Sequence, residues 1–281
     1  MQERKITNEL IKNFELYLYD EERSNNTTEK YMRDIRFFRE WLKSKSIDKS
    51  VVIEYKKELC ERYAVRSVNS MLSSVNAFFV FVGWHDLKVK TLKIQRCIFS
   101  DKSRELSKTE YERLLNAAQN RRNDRLYYLM QTMASTGIRV SEVKYVTCEA
   151  VRNGIAIINC KGKIRRVFLP RELCKMLKGY ICRQKIAGGA VFVTRSGKPL
   201  DRCAIWRMLK DLCDGAHVDR KKVFPHNFRH LFARTYYSLQ KDIVRLADIL
   251  GHSSIETTRI YTMESGSEHM RQLQKLGLLR C

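Results

Sequence analysis

The chain has 281 residues, 44% hydrophobic and 10% aromatic, with 54 Lys+Arg against 31 Asp+Glu for a net charge of +23. That apolar share excludes a disordered chain, and the length points to two domains, each able to bury a core. No run of eighteen apolar residues occurs and MQERKITNEL lacks a signal-peptide core, so a cytoplasmic protein is expected, and a basic excess spread along the whole chain makes nucleic acid the first partner to expect.

The three prolines, at 170, 199 and 225, all lie beyond residue 150, which leaves the first half free to run in long helices. Leu10, Phe14, Tyr17 and Leu18 mark a first helix. Asn26 and Glu29 have the spacing of a capping arrangement, after which Tyr31, Ile35, Phe38 and Leu42 share one stripe; Val68, Met71, Val75, Phe78 and Val82 form another. Residues 1–99 therefore read as a helical bundle. The polar stretch 100–106 has no periodicity and reads as a linker, and Ser107-x-x-Glu110 is a capping box opening a second domain over 107–281. There the pattern becomes mixed, with helices at 108–119 and 124–136 and a hairpin of strands 155–158 and 164–169 joined by 159–163. A further strand is expected at 190–194, a turn at 195–199, and helices from about 202, 226 and 241. The fold class is mainly α with a small β-sheet: a helical bundle followed by an α+β domain. Nine cysteines, none spaced as CxxC, read as reduced thiols, mostly small core residues, and not as a zinc ribbon or redox site.

Several basic and hydroxyl residues invite a functional reading, each with a plain structural alternative. His226 and Arg229 lie three apart behind Pro225, at a helix N-terminus whose free amides favour an anion; the alternative is a solvated helix start. Arg139 follows a glycine turn and either meets a ligand or simply pairs with Glu142 at i+3. Lys161 and Lys163 at the hairpin tip are either solvated or functional. In LGHSSIETTRIYT, Gly251 ends a helix over 242–250, and Ser253 or Ser254 caps a short helix on which Thr257, Thr258 and Tyr261 share a face. His252 then stands between two helix ends, nine residues before Tyr261.

Taken in chain order, Ser-Thr-Gly-Ile-Arg139-Val-Ser-Glu142, a lysine on a β-turn, Pro-His226-Asn-Phe-Arg229-His and Leu-Gly-His252 through Tyr261-Thr resemble the boxes of the tyrosine recombinase (phage integrase) family, of the two-domain Xer-like or transposon integrase type. The resemblance covers nearly the whole chain. It implies an N-terminal SAM-like core-binding domain and a catalytic domain that together clamp duplex DNA. It implies that Arg139 and Arg229 hold the scissile phosphate, that Lys161 is the general acid, that His226 assists proton transfer, that His252 binds a phosphate oxygen and that Tyr261 is the nucleophile, with Glu142 orienting its surroundings. Lys163 is the alternative lysine, because Cys160-Lys-Gly-Lys163 departs from the family's Gly-Lys-Gly-x-Lys. It also implies site-specific cutting and rejoining through a 3′-phosphotyrosine and a Holliday junction, in integration, excision, inversion or resolution, with no cofactor and no metal. The expected partners are specific double-stranded DNA sites and a homo-tetramer, accessory proteins being open. Met270, Leu273, Leu276 and Leu278 form an apolar stripe that packs in cis or in trans. A bundle beginning almost at Met1 leaves no room for an arm-binding domain and favours the two-domain type.

The residue types suit that chemistry. A phosphodiester repels nucleophiles and gathers charge in its transition state, which two fixed guanidinium forks stabilise. Attack by a phenol stores the bond energy as a covalent intermediate, so a second DNA hydroxyl rejoins strands without ATP. The leaving 5′ hydroxyl requires a proton donor. Two alternatives use the same residues or fold: a type IB topoisomerase-like relaxing enzyme, and a catalytically silent DNA-binding protein.

Overall fold

In a computed structural model the described residues are 4–43, 45–94, 102–160, 163–261, 270, 274 and 275, and the chain divides into two compact units, Met1–Arg96 and Cys97–Cys281.

The first unit contains α1 (Asn8–Asp20), α2 (Asn25–Leu42), α3 (Lys49–Arg62) and α4 (Val65–Phe81). The stripes read from the sequence are its core: Phe14, Ile35, Phe38, Val68, Val75 and Phe78 are fully buried. Helix α3 was not legible, because its inward row is only Val52, Tyr55 and Leu59 among charged neighbours. The cap of α2 is Ser24, extended at φ −65° and ψ 146°, and not Asn26, which lies inside the helix. Beyond α4 the chain makes a 3-10 turn at His85–Leu87 and then lies against the bundle. Asn69 and Asn76 bind it there, each amide donating to and accepting from one backbone position, Leu92 and Val89 respectively. These side chains supply the pairing that a neighbouring strand would otherwise give.

The second unit begins with a 3-10 turn at Lys102–Arg104 and the capping box at Ser107, which is formed in both directions. It continues through α5 (Lys108–Asn120), α6 (Asp124–Thr136), a 3-10 turn at Val140–Tyr145 and α7 (Cys148–Asn153). Strands β1 (Ile155–Cys160) and β2 (Lys163–Phe168) follow, then α8 (Arg171–Arg183), α9 (Arg202–Ala216), α10 (Pro225–Gln240), α11 (Ile243–Leu250) and α12 (Ile255–Arg259). The strands are antiparallel, in register from Ile155 opposite Phe168 to Cys160 opposite Lys163. They extend further toward the tip than the sequence reading placed them. Ala156, Ile158 and Val167 point into the core, whereas Ile157, Ile164 and Phe168 face solvent.

The strand expected at 190–194 is reduced to isolated bridges, Thr147 with Ala190 and Val193 with Pro199. Proline has no N–H with which to extend a ladder. Of the described cysteines, Cys148, Cys174 and Cys213 are buried but Cys60, Cys182 and Cys203 are exposed, so the expected core role applies to half of them. No helix among the described residues is long and apolar enough to cross a membrane. Lys161 lies outside the described residues, as do Leu273, Leu276 and Leu278, and only the backbone of Lys163 is described.

Candidate active site

Helix α6 ends at Gly137, left-handed at φ +63°, with its N–H on the Met133 carbonyl. Any Cβ there would meet Phe232 at 2.5 Å, so only glycine lets α6 turn this close to α10. The turn brings out Arg139, on an extended residue that opens the 3-10 turn holding Glu142. Helix α10 starts with Pro225, and buried Asn227 ties its first turn to the carbonyls of Arg104 and Lys222, both at 2.7 Å. One turn in, Arg229 points inward and is 1% exposed. Helix α11 is capped by Asp242 and closed by Gly251, also left-handed at φ +63°.

Three guanidiniums converge on the last carbonyls of α11. Arg229 donates to Leu250 at 2.7 Å, Arg139 to Gly251 at 3.2 Å, and Arg165 to Ile249 at 3.3 Å and also to Leu250. The C-terminal end of a helix carries partial negative charge, which favours this gathering of cations. Glu142 is the carboxylate among them, with Oε1 on Arg139 at 2.9 Å and Oε2 on Arg165 at 2.7 Å. Arg229 has no share of it. Its second Nη donates to the Gly137 carbonyl at 2.5 Å, and its Nε is buried without a partner among the described residues. Burial first, and Arg139 second, pull the Arg229 pKa down to about 10.

His252 lies 2.8 Å from Arg229 through Nε2 and 2.8 Å from the Thr258 hydroxyl through Nδ1. A guanidinium can only donate, so Nε2 accepts and the proton sits on Nδ1, facing Thr258. Desolvation, followed by the charges of Arg229 and Arg139, lowers the His252 pKa to about 4 and keeps the ring neutral. His226 stands exposed at the rim, its pKa held below the ordinary value by desolvation of the ring and by Arg229 and Arg139. Tyr261 is 5% exposed and sits in a run of rings: His226 against His230 at 4.6 Å, His230 edge-on to Tyr261 at 4.7 Å, and Tyr261 stacked on His252 at 5.9 Å. Behind these rings Tyr261 packs with Ala233, Leu246 and Leu250. In front of Arg139, His226 and Arg229 opens a cavity of about 510 Å³, edged by Arg202 and Trp206 of α9.

The structure therefore brings Arg139, Glu142, His226, Arg229, His252 and Tyr261 into one cluster, of which Arg139, His226 and Arg229 line the cavity. It differs from the sequence reading at the Tyr261 segment: α12 ends at Arg259, and Tyr261 follows it instead of lying on that short helix. Ser254 takes the cap position without a side-chain bond, and Thr257 is exposed while Thr258 is fully buried. Sequence reasoning missed Arg165, His230 and the partnership of Thr258 with His252. Arg165 carries one usable signal, since period-two alternation puts it on the same strand face as buried Val167. No group of three His, Cys, Asp or Glu that could hold a metal ion occurs among the described residues.

Residues 104–268 match the model of the Phage integrase family, and residues 11–85 match that of the phage integrase N-terminal SAM-like domain. The chain belongs to the phage integrase family. Tyrosine recombinase XerA of Pyrococcus furiosus is 26% identical over 291 residues, spanning 99% of this chain and 98% of the relative. The crystal structure of XerA recombinase is 28% identical and covers 98% of this chain and 100% of its own, with a TM-score of 0.53. A lambda integrase tetramer bound to a Holliday junction, 17% identical, shares the fold at a TM-score of 0.72, covering 90% of this chain and 76% of its own. The family fold accounts for a mostly helical chain with a small sheet.

Proposed function

We propose that this chain is a site-specific DNA recombinase that cuts and rejoins strands through a 3′-phosphotyrosine on Tyr261, and that it acts in the cytoplasm. It is a tyrosine recombinase, and its chemistry is DNA strand transfer. The observation that supports this reading most directly is Arg229: a guanidinium buried to 1%, bonded to two carbonyls and a neutral imidazole, hydrogen-bonded also to Tyr261, with no carboxylate partner among the described residues, and lining a cavity with Arg139. A buried cation without a counter-ion gains strongly from an arriving anion. A phosphodiester supplies that anion in a bidentate form suited to guanidinium forks.

In this reading Arg139 and Arg229 hold the nonbridging oxygens while the Tyr261 phenol oxygen attacks phosphorus, and the DNA 5′ oxygen leaves with a proton. The donor is Lys161, or Lys163 in its place. When the phosphate takes over an Arg229 donor, Nε2 of His252 is released. The Thr258 hydroxyl both donates and accepts, so it lets the ring exchange tautomers and turn an N–H toward a phosphate oxygen. His226, neutral at pH 7, accepts the phenol proton. Glu142 orients Arg139 through both its backbone N–H and its side chain. The guanidiniums carry the positive charge that metal ions bring to other phosphoryl-transfer sites. The N-terminal unit, residues 1–99, and the catalytic unit, residues 107–281, both bind the duplex, mainly at phosphates, which makes affinity steeply salt-dependent. Two DNA sites are joined by a homo-tetramer through a Holliday junction, the assembly in which lambda integrase has been crystallised.

The test uses inverted-repeat duplexes selected by binding from a randomised pool, then nicked near the centre so that a cleaved fragment is lost and religation fails. Wild-type protein is expected to form a covalent adduct, and Tyr261→Phe to bind equally well and form none. A wild type that binds without forming an adduct overturns the reading.

A further inference from the structure

We propose that Arg165 is a positioning residue that sets the spacing between the two phosphate-holding guanidiniums, acting through Glu142 on one side and the end of α11 on the other. The inference rests on the strand-transfer reading above. Arg165 sits on the inner face of β2, its side chain 14% exposed, and reaches across to two other elements. One Nη donates to Glu142 Oε2 at 2.7 Å, the same oxygen that receives the Arg139 backbone N–H at 2.9 Å. The other donates to the Leu250 carbonyl, which also receives Arg229 at 2.7 Å. An unbroken path therefore runs from Arg139 through Glu142, Arg165 and the Leu250 carbonyl to Arg229 and His252. Remove Arg165 and, among the described residues, the hydrogen bond left directly between the 3-10 turn of Arg139 and the end of α11 is the 3.2 Å one from Arg139 to Gly251.

The arrangement costs enough to need a reason. Burial and the nearby Arg139 lower the Arg165 pKa, offset in part by Glu142. Its Nε is buried without a partner among the described residues. A β-carbon on Gly251 would lie 2.2 Å from Arg165 Cδ. Glycine is thus required before His252 twice over, once by its left-handed backbone and once by the Arg165 stem lying against it. A guanidinium suits the task, because its rigid planar fork fixes the directions of its donors toward two acceptors on different elements, whereas a lysine ammonium is a compact charge on a freely turning stem.

Single-turnover adduct formation separates positioning from mere structural support. Arg165→Ala and Arg165→Lys are each assayed on the selected nicked duplex and on the same duplex with a methylphosphonate at the scissile position, which lacks one charged oxygen and depends less on paired guanidiniums. The expected result is a loss on the order of 10²-fold on the phosphate, the scale of a small misplacement of reacting groups, and a clearly smaller loss on the methylphosphonate, with DNA affinity retained. Equal losses on both substrates overturn the inference and leave the strand-transfer reading intact, whereas a wild type inactive on both defeats that reading itself. If Arg165→Ala is not folded by circular dichroism at the assay temperature, the ratio for Arg165→Lys decides.

Discussion

Each unit of the molecule buries an ion almost completely, Asp34 in one and Arg229 in the other, and the two are treated differently. In the N-terminal bundle Asp34, 2% exposed, meets Lys30 at 2.8 Å and the Ser74 hydroxyl at 2.9 Å, so its charge is answered within its own helix and the next one packed against it. In the catalytic unit Arg229, 1% exposed, meets two carbonyls and a neutral histidine, and its neighbours Arg139 and Arg165 share Glu142 without it. Burying an ion is unfavourable unless partners replace its hydration. A locally answered charge holds helices in place. One answered only by dipoles keeps its field for a ligand, and the folded chain carries the cost until the ligand binds.

The contrast breaks most sharply at Arg229. Arg229→Ala should slow single-turnover adduct formation by about 10²–10³-fold, the scale of losing one electrostatic donor to a developing charge, with DNA affinity within a few-fold of wild type by gel shift. Parallel loss of binding and rate would show that Arg229 serves the complex and not the chemical step. Asp34→Ala should do the opposite. It removes the charge-assisted bond from Ser74 of α4 and the ion pair with Lys30 in α2, lowering stability in urea titrations by about 1.5–3 kcal/mol, while the adduct rate per folded molecule stays unchanged; a rate loss at full folding would make Asp34 more than structural.

The smallest expected effect concerns the histidine rings. Burial holds His230 near 4 and His252 near 4, below the ordinary imidazole value of 6.5. Between those values the unfolded chain binds protons that the folded chain refuses, so this stability is complete above about 6.5 and is lost as pH falls toward 4. His230→Phe keeps an aromatic edge against Tyr261 but removes one titrating ring. Its melting temperature should fall less steeply from pH 6.5 to 4 than that of wild type, and an identical slope would remove His230 from the account.

What could be read from the chain was whatever is local. Helical stripes such as Ile35, Phe38 and Leu42, the capping box of Ser107 and Glu110, and the glycine closing α11 are all set within a turn or two, by side-chain period and backbone geometry. The order of Arg139, His226, Arg229, His252 and Tyr261 was legible as well, because they sit in three short boxes. His230 was beyond reach, a histidine beside an arginine, and Arg165 showed only its place in the strand alternation, with nothing to set its partners apart from those of the other basic residues in its run.

Sequence alone thus determined which residue types were present, which faces of the helices were apolar and which family the pattern matches. Tertiary structure decided which cations are buried, and what answers them. The bonds that distinguish Arg229 and Arg165 from the other basic residues join positions such as 137 with 229 and 165 with 250. Desolvation and charge coupling act through space between such partners, and only the packed fold brings them together.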